Sequence, residues 1–339
     1  PPKMLSVPSS INTRVIFSRM TTEIGPTTHI GERHLHAAIA ERWRQSGGWR
    51  GVTVGPGDDA AVVEGGGGVR WLVTADQLVE GRHYTPGTPP ERVGYKALAR
   101  SVSDIAAMAG EPKYAVATAL VPDRRAGEVP PIFQAIDNAG RLLSCPIVGG
   151  DIASYAGDAF VITVTVIGEA HGDRGAVLRS AAAPGDGVYV TGTIGGANTA
   201  SRPSGAKHHL VFEPRIRAAR GLADMLGRRL HAMIDLSDGL GIDAHRIAEA
   251  SGVTLTIDAS AVPLSEGVKQ WKKAVAQGED YELLFTTPAS EAEVVSAGES
   301  VGVPMTRIGS VEEQKPPGPG ARFNDGTNLL PAQTMGHEH

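Results

Sequence analysis

Residues 52–76 read VTVGPGDDAAVVEGGGGVRWLVTAD, and the pattern of this stretch recurs along the chain. Short runs of β-forming residues end in aspartate beside glycine or another small residue, first at Asp58-Asp59 and again at Asp76. Such runs predict buried or half-buried strands, and the glycines at 65–68 predict a turn between two of them. We therefore predict three strands in this stretch, the third of which breaks at Ala75-Asp76.

Outside this stretch, predicted strands and helices interleave to the end of the sequence. Apolar residues at helical spacing predict a helix from residue 88 to about residue 109, and alternating Val, Thr and Ile predict a strand over residues 160–168. This mixture of hairpins and helices favours α+β domains over a purely doubly wound sheet. A boundary near residue 172 gives an N-terminal domain of residues 31–172 and a C-terminal domain of residues 173–339.

The first 30 residues are left out of this fold prediction. They are rich in Ser and Thr, and their only apolar patch, Val15-Ile16-Phe17, is too short for a secretory signal. A flexible tail of residues 1–30, or a natural start at Met20, fits them better than a transit peptide.

Composition restricts the partners that the chain can have. The 339 residues carry a net charge of −5, so no global basic field favours nucleic acid or an anionic membrane. No apolar run approaches the roughly 18 residues that a membrane span needs. Cys145 is the only cysteine, which rules out an internal disulfide framework. We predict a cytoplasmic protein without a nucleic-acid or membrane partner.

Acidic residues beside small residues at predicted strand ends are the candidate functional residues. They are Asp58, Asp59, Asp76, Asp104, Asp151, Asp235, Asp238, Glu279 and Asp280. Any one of them alone is more often a turn or helix-cap residue, and Asp238 ahead of Gly239 is a candidate cap. If several converge, protons or cations must offset a repulsion of about 4 kcal/mol per pair 4 Å apart. Oxygen-only ligands favour Mg²⁺, which commonly bridges carboxylates and substrate phosphates.

Common nucleotide-binding and hydrolase signatures are absent from the sequence. It has no G-x-x-x-x-G-K-[ST] loop, no dinucleotide fingerprint at residues 192–196, no protein-kinase signatures and no G-x-S-x-G nucleophile. The lone cysteine has no evident base nearby in sequence, which disfavours a covalent intermediate. Magnesium-dependent phosphoryl or nucleotide chemistry is the leading class.

A set of short motifs carries a more specific signal. In the N-terminal half they are Gly57-Asp58-Asp59-Ala60-Ala61-Val62, Thr74-Ala75-Asp76, Glu80-Gly81-Arg82-His83-Tyr84, Lys96-Ala97-Leu98-Ala99, Ser103-Asp104-Ile105 and Gly149-Gly150-Asp151. In the C-terminal half they are Arg179-Ser180-Ala181, Asp235-Leu236-Ser237-Asp238-Gly239 and Gly278-Glu279-Asp280-Tyr281-Glu282. In this order, over about residues 30–339, they resemble the thiamine-monophosphate kinase family.

The resemblance implies a fold, a reaction and an assembly. The fold is α+β with mixed α/β character, in the two-domain arrangement of the aminoimidazole-ribotide-synthetase-like superfamily. The reaction is ATP-dependent phosphorylation of thiamine monophosphate to thiamine diphosphate by direct in-line transfer, with several Mg²⁺ ions. The N-terminal domain would bind metal and ATP and form a homodimer. The C-terminal domain would complete the nucleotide and substrate site.

The resemblance also implies roles for single positions. The metal positions are Asp59, Thr74, Ala75, Asp76, Asp104, Asp151, Asp235 and Asp238. The ATP contacts are Gly150, Asp151, Arg179 and Ser237. The substrate contacts are His83 and Glu279, although a lone histidine such as His83 is more often a packed one. Asp104, Asp151 and Asp235 are the candidate catalytic residues.

The sequence departs from the family pattern at a few positions. Ala75 stands where a hydroxyl residue is common, so a metal contact there must come from the backbone, and Arg82 replaces a usually uncharged residue. Gln277 replaces a glycine, residues 196–207 are shorter than usual, and His337 falls about where the family tends to place an aromatic residue. The alternatives are another ATP-using enzyme of the same superfamily and a non-catalytic nucleotide-binding paralogue, against which the full set of acidic positions argues.

Overall fold

The computed structural model describes residues 32–200 and 205–336, so the predicted tail of residues 1–30 and the prediction for His337 lie outside the described residues. The helices are α1 (Glu32–Gln45), α2 (Pro90–Ala107), α3 (Val129–Leu142), α4 (Ile216–Leu226), α5 (Leu240–Ser251), α6 (Trp271–Ala276) and α7 (Glu291–Val301). The strands are β1 (Val52–Val54), β2 (Ala61–Glu64), β3 (Arg70–Val79), β4 (Glu111–Pro122), β5 (Ile147–Tyr155), β6 (Val161–Glu169), β7 (Gly187–Thr191), β8 (Ala232–Asp235), β9 (Thr254–Asp258), β10 (Leu283–Thr287), β11 (Met305–Glu312), β12 (Gly320–Asn324) and β13 (Leu329–Pro331).

The N-terminal half forms a six-stranded sheet in the order β1-β2-β3-β6-β4-β5. Neighbouring strands are antiparallel except β4 and β5, which run parallel. β6 alternates buried and part-exposed residues, as expected for a sheet that is covered on one face. Leu98 and Ile105 of α2, Ile136 of α3 and Val164 of β6 belong to the core on that covered face.

The C-terminal half forms a seven-stranded sheet in the order β13-β12-β9-β11-β7-β10-β8. Its strands pair antiparallel except β9 and β12. β7, β8 and β10 are buried throughout, because helices cover both faces of the sheet here. Val188 packs in the core that contains Ile247 of α5, whereas the next residue, Tyr189, packs in the core that contains Leu222 of α4 and Val294 of α7. The predicted fold class, mixed helices and sheets in two domains, is confirmed.

Helix α2 joins the two halves of the molecule. It contacts β3, β4 and β6 on one side and α4 and β8 on the other. Small residues let α2 pack closely against its neighbours. At Gly94, for example, an added Cβ atom would lie only 2.5 Å from the Cβ of Ala135 in α3, which is too close for a residue with a side chain. Polar residues of α2 are therefore placed between the two sheets. No helix within the described ranges has the length and hydropathy that a membrane crossing requires.

Two strands run further than the sequence predicts. The predicted break at Ala75-Asp76 is wrong, because β3 pairs with β6 in an unbroken register from Trp71 to Val79. Likewise, Asp151 does not lie at a strand end, because β5 continues through it to Tyr155 alongside β4. Pairing with a long neighbouring strand outweighs the low β-propensity of Gly and Asp. Asp76 and Asp151 therefore lie within strands, where the alternation of side chains decides which face of the sheet each carboxylate points to.

The first sheet carries exposed apolar side chains on the face away from α2 and α3. Tyr114 and Leu120 of β4 and Ile167 of β6 are exposed there. Val148 and Ile152 are exposed on the terminal strand β5, where Ile152 is paired with the core residue Ala119. Exposed apolar side chains grouped on one sheet commonly mark an interface with another protein chain.

Candidate active site

A cleft of about 460 Å³ opens between the two halves of the molecule, which is within the usual size range of small-ligand sites. It is bounded by α1, the loop between β1 and β2, β3, α2, the end of β8 and the start of α5. Its acidic and arginine side chains are Asp58, Asp59, Asp76, Asp104, Asp235, Asp238, Glu249, Glu279, Arg100, Arg179 and Arg246. A cleft that is this rich in carboxylates needs cations to hold an anionic ligand.

Three of the predicted metal residues converge in this cleft. Asp59 follows β1, Asp104 lies in α2 and Asp235 ends β8, yet each offers a carboxylate oxygen and these oxygens lie within 4.8 Å of one another. Burial raises the pKa of Asp104 and of Asp235 well above the usual range, and neighbouring carboxylates raise both further. Negative charge is therefore costly at this point, and a divalent cation would relieve the cost. This oxygen-only set of ligands fits Mg²⁺.

Two hydroxyl groups orient the carboxylates of this cluster. Thr74 Oγ1 donates a hydrogen bond to Asp104 Oδ2, and Ser103 Oγ donates one to Asp235 Oδ2 at 2.6 Å. Each bond occupies one lone pair and fixes the side-chain torsion, while the other carboxylate oxygen keeps its lone pairs for a ligand. Thr74, a predicted metal ligand, is here the donor to another predicted ligand.

Strand β3 places the next predicted metal residues on two different faces. Thr74 is buried and Asp76 partly buried, on the face toward α2, whereas the exposed Ala75 points to the other face. Ala75 borders the cleft, so its backbone is the part that a ligand on the α2 side can reach. Asp76 Oδ1 lies 3.6 Å from Arg100 Nη2, which gives this carboxylate a cation on α2.

Arg179 forms an ion pair with Asp59, a predicted metal ligand. Its Nη2 donates to Asp59 Oδ1 at 2.6 Å and its Nε donates to Asp59 Oδ2 at 3.2 Å, which is the two-bond geometry that guanidinium groups favour. The Arg179 backbone N–H also donates to Asp58 Oδ2 at 3.2 Å. Burial raises the pKa of Asp58 to about 7, and the Asp59 charge adds to this effect. A predicted ATP contact is therefore bonded to a predicted metal ligand.

Asp238 is held by a neighbouring arginine and does not cap α5. The residue that caps α5 is Gly239, with a φ of 110° and no side-chain hydrogen bond. Asp238 instead accepts a hydrogen bond from Arg246 Nη2 at 2.5 Å. Asp243 Oδ2 accepts the backbone N–H groups of Asp238 and Gly239, both at 3.1 Å. The helix-cap interpretation of Asp238 is therefore wrong, and the side chain borders the cleft.

Of the two predicted substrate residues, Glu279 borders the cleft, whereas His83 is buried outside its lining and its Nδ1 accepts the Val79 N–H at 2.9 Å. Lys96 of α2 donates to the backbone carbonyl oxygen of His83 at 2.7 Å and to Glu279 Oε1 at 2.6 Å. His209 Nδ1 lies 3.2 Å from Glu279 Oε2. Burial acts to raise the pKa of Glu279, but the hydrogen bond from His209 and the charge of Lys96 lower it to about 2. Glu279 is therefore an ionised carboxylate at any ordinary pH.

The chain around Glu279 has an unusual backbone. Glu279 has a φ of 68° and Tyr281 a φ of 52°, a left-handed region that residues other than glycine rarely adopt. The segment is anchored by its neighbours: the Glu279 N–H donates to the Ser237 carbonyl oxygen at 2.8 Å, and the Tyr281 ring stacks on Phe212 with centroids 3.8 Å apart. Strain of this kind persists where the surroundings fix it, and it is concentrated at functional sites.

Gly150 and Asp151, like His83, are predicted site residues that do not border the cleft. In the sheet register, Gly150 lies opposite Ala117 of β4, and β4 and β6 separate it from β3. With about 4.8 Å between neighbouring strands, Asp151 is roughly 14 Å from Asp76 across the sheet. Its strand β5 is exposed along most of its length.

Several charged or polar residues in the cleft lining or directly behind it were not predicted from the sequence. Lys96 belongs to one of the sequence motifs given above, but no role was assigned to it. Arg100 of α2 and Arg246 of α5 belong to none of those motifs. His209 lies 113 residues from Lys96, and a single sequence gives no sign that they meet. One signal was available in the sequence. Lys96, Arg100 and Asp104 are spaced four residues apart, which places them on the same face of helix α2.

Family models match most of the chain. The model described as AIR synthase related protein, N-terminal domain, matches residues 57–170. The model described as AIR synthase related protein, C-terminal domain, matches residues 183–319.

Curated relatives carry a more specific name. The chain is similar to a thiamine-monophosphate kinase of Bacillus subtilis, with 36% identity over 78% of this chain and 86% of that protein. It is also similar to the thiamine-monophosphate kinase of Escherichia coli, with 31% identity over 83% of this chain and 90% of that one.

Solved structures agree with these relatives. A structure described as AaThiL complexed with AMPPCP and TMP has a TM-score of 0.74 and 29% identity, over 93% of this chain and all of that one. A hydrogenase maturation protein, HypE, has a TM-score of 0.62 at 20% identity, over 77% of this chain and 88% of that one. At that identity the likeness shows the fold alone.

Proposed function

The chain belongs to the thiamine-monophosphate kinase family, and we propose that its acidic cleft transfers the γ-phosphoryl group of ATP directly to the phosphate of thiamine monophosphate. The chain is therefore an ATP-dependent kinase that makes thiamine diphosphate. The observation that carries the proposal for the site is the convergence of the Asp59, Asp104 and Asp235 carboxylates. The alternatives, another enzyme of the superfamily or a non-catalytic paralogue, are not favoured.

We propose that Mg²⁺ is held by the predicted metal residues that border the cleft. Asp59, Asp104 and Asp235 would form the centre, and Asp76 and Asp238 would extend it on either side. When bound, Mg²⁺ neutralises charge on the phosphate groups of both substrates and so reduces their mutual repulsion. The raised pKa values of Asp104 and Asp235 support this role, because they mark a place where an added cation is strongly favoured.

The chain's own groups would bind and orient the two substrates. Arg179 and Ser237 would contact ATP, since both border the cleft beside the carboxylate cluster. Glu279 and His83 would contact thiamine monophosphate at the other end, which places the two phosphate groups toward each other. The reaction needs no covalent intermediate, so positioning and charge neutralisation supply most of the rate enhancement.

We propose that the protein is a homodimer in which Gly150 and Asp151 act in the site of the partner copy. Within one chain Asp151 lies on the terminal strand of the first sheet, far from Asp76. The same sheet carries exposed apolar side chains on its open face, and a second copy placed against this region would cover them. The domain roles follow: residues 31–172 bind metal and ATP and dimerise, and residues 173–339 complete the site.

A cytoplasmic location stays a prediction from the sequence. The lone cysteine on which it rests, Cys145, is fully buried. Burial raises the pKa of its thiol to about 12, which makes it unreactive at neutral pH. Cys145 therefore serves packing and is not a nucleophile of the reaction.

The reaction is tested by supplying purified protein with ATP, Mg²⁺ and either thiamine monophosphate or free thiamine. We expect thiamine diphosphate to form from the monophosphate and no phosphorylated product to form from thiamine, because the acceptor must carry a phosphate oxygen. Separation of the products by chromatography gives the readout. Turnover of free thiamine at a similar rate, or no diphosphate from the monophosphate, would contradict the proposal.

Magnesium binding should stabilise the fold more strongly at high pH than at low pH. The raised pKa of Asp58, about 7 against an ordinary 3.8, means that the folded state holds a proton which the unfolded chain releases. This contribution to stability is present at low pH and lost as the pH rises through about 7. The pKa values of Asp104 and Asp235, two of the proposed metal ligands, are raised as well. Protons and Mg²⁺ compete for these carboxylates, so we expect a larger Mg²⁺-induced rise in Tm at about pH 8 than at about pH 6.

Thermal unfolding with MgCl₂, against NaCl of equal ionic strength, measures this effect without any turnover. The NaCl series removes general screening from the comparison. Equal shifts in Tm at both pH values, or no shift at either, would count against metal binding by this cluster.

A further inference from the structure

Lys96 is a buried cation to which the proposed reaction gives no role. Its side chain has no exposed surface, and its ammonium group meets the His83 carbonyl oxygen at 2.7 Å, His209 Nδ1 at 2.7 Å and Glu279 Oε1 at 2.6 Å. Two of the three N–H donors of the ammonium group therefore have oxygen acceptors, the His83 carbonyl and the Glu279 carboxylate. His209 Nδ1 lies beside both Lys96 Nζ, at 2.7 Å, and Glu279 Oε2, at 3.2 Å, so it completes the cluster around the ion pair.

The three groups that meet the Lys96 ammonium belong to segments that are far apart in sequence. His83 follows β3 and lies 13 residues from Lys96, His209 lies 113 residues away between β7 and α4, and Glu279 lies 183 residues away before β10. One ammonium group on α2 therefore fixes two segments of the C-terminal half against a turn of the N-terminal half. Both residues proposed to contact thiamine monophosphate are held by this one group.

Lys96 acts from behind the surface of the cleft. Glu279 borders the cleft and its side chain is 22% exposed, whereas Lys96 is fully buried and is not part of the lining. A ligand in the cleft can therefore touch Glu279 but not Lys96. Any influence of Lys96 on a ligand passes through the position and charge of Glu279 and through the His83 turn.

The charges around Glu279 explain why the lysine matters. The groups that face it are Lys96, His209, Arg100 and Tyr281. Burial lowers the pKa of Lys96 to about 8, although the Glu279 charge opposes this effect. Without Lys96, the largely buried carboxylate would lose its nearest cation, and its pKa would rise from about 2 toward the usual range or above it.

We infer that Lys96 is a positioning residue that sets the affinity of the site for thiamine monophosphate, by holding the Glu279 carboxylate and the His83 turn in the geometry that receives the organic part of that substrate. The inference rests on the proposed function and deepens it. A fixed carboxylate is suited to a ligand with a cationic ring and N–H donors, as in the thiazolium and aminopyrimidine groups of thiamine.

The test is a Lys96→Met variant, which keeps much of the side-chain volume and removes the charge and the donors. We expect the KM for thiamine monophosphate to rise by about tenfold or more, because a buried acceptor loses its partner, while the KM for ATP changes by less than about threefold. We also expect kcat/KM for thiamine monophosphate to fall as the pH drops through the raised pKa of Glu279. At saturating Mg²⁺, protonation of the other cleft carboxylates affects both proteins alike, so the Glu279 effect is the extra acidic fall of the variant relative to the wild type, whose Glu279 has a pKa of about 2.

Lys113→Met is the matched control for the loss of a lysine charge. Lys113 lies on β4, part-buried, and pairs with Glu111 at 3.0 Å and Glu169 at 3.3 Å, outside the cleft. Its loss should leave both KM values unchanged. If Lys96→Met does not fold, the double variant Lys96→Met/Glu279→Gln removes the buried pair together and avoids a lone buried charge. Its KM for thiamine monophosphate should be at least that of Glu279→Gln, because it also loses the Lys96 bond to the His83 carbonyl oxygen, and its KM for ATP should stay close to that of the wild type.

The outcomes separate the inference from the function on which it rests. Lack of thiamine monophosphate turnover by the wild type would overturn both. Turnover by the wild type, with an unchanged KM for thiamine monophosphate in Lys96→Met or with equal rises in both KM values, would overturn the inference alone. A double variant with a KM for thiamine monophosphate like that of the wild type would also overturn it, because neither Lys96 nor Glu279 would then set the affinity for this substrate.

Discussion

An Asp235→Asn variant is expected to fold normally and to lose about 10²–10³ in kcat, the usual cost of removing one preorganised electrostatic group. Asp235 is buried at the end of β8 and shares a cluster with Asp59 and Asp104. Asparagine keeps the shape of the side chain but offers a neutral ligand in place of a charged one. The proposed Mg²⁺ site would therefore be weakened without a change in packing.

The stability of this variant should change in the opposite direction to its activity. Burial and neighbouring carboxylates raise the pKa of Asp235 well above its usual range, so its ionised form is unfavourable in the metal-free protein. A neutral amide removes that cost. Without metal, Asp235→Asn should therefore unfold at a temperature no lower than the wild type does.

Asp186→Asn is the matched control for this prediction. Asp186 is equally buried but lies outside the cleft, where it accepts the Ala183 N–H at 2.9 Å and pairs with His231 at 2.9 Å. Its substitution should lower Tm and leave kcat close to that of the wild type. Steady-state kinetics at limiting Mg²⁺ and thermal unfolding distinguish the two patterns. Wild-type turnover by Asp235→Asn would rule out the assignment of Asp235 to the metal site.

Mixing two inactive variants is expected to restore activity. If Asp151 serves the partner's site, a heterodimer of Asp151→Asn and Asp235→Asn chains has one site with both defects and one with neither. Random reassortment makes about half of the dimers mixed, so about a quarter of all sites should be intact. Activity should rise from near background to about a quarter of the wild-type value.

The mixing experiment has two controls. Each variant alone must be inactive, and the two must be mixed under conditions that let the subunits exchange, such as co-expression with separable tags. The pair Asp104→Asn and Asp235→Asn should give no rescue, because both residues belong to the same chain's cleft. The absence of rescue in the first mixture as well would mean that Asp151 acts within its own chain or that subunits do not share sites.

The chemistry of the site was more predictable from the sequence than its geometry. Repeated aspartates beside small residues predicted that carboxylates converge, and Asp59, Asp104 and Asp235 do so. Small residues and alternating apolar residues predicted the mixed fold, which the structure confirms. Local composition carries these signals because burial and turn formation depend on neighbouring residues.

The directions of the aspartates were not predictable in this way. Asp76 was expected at a strand end, but β3 continues through it because β6 offers a long partner strand. Asp238 was an alternative helix cap, but Arg246 binds it and Gly239 caps the helix. In each case a tertiary partner outweighs the local tendency of the residue, and a single sequence does not reveal that partner.

The ion pair between Arg179 and Asp59 couples the binding of a metal ion in the cleft to the binding of a nucleotide. One guanidinium group cannot give the same N–H donors to Asp59 and to a nucleotide phosphate. A divalent ion that binds Asp59 competes with the arginine and releases it, and a phosphate that captures the arginine uncovers the carboxylate. Metal and nucleotide should therefore bind with positive cooperativity, each raising the affinity for the other by the same factor.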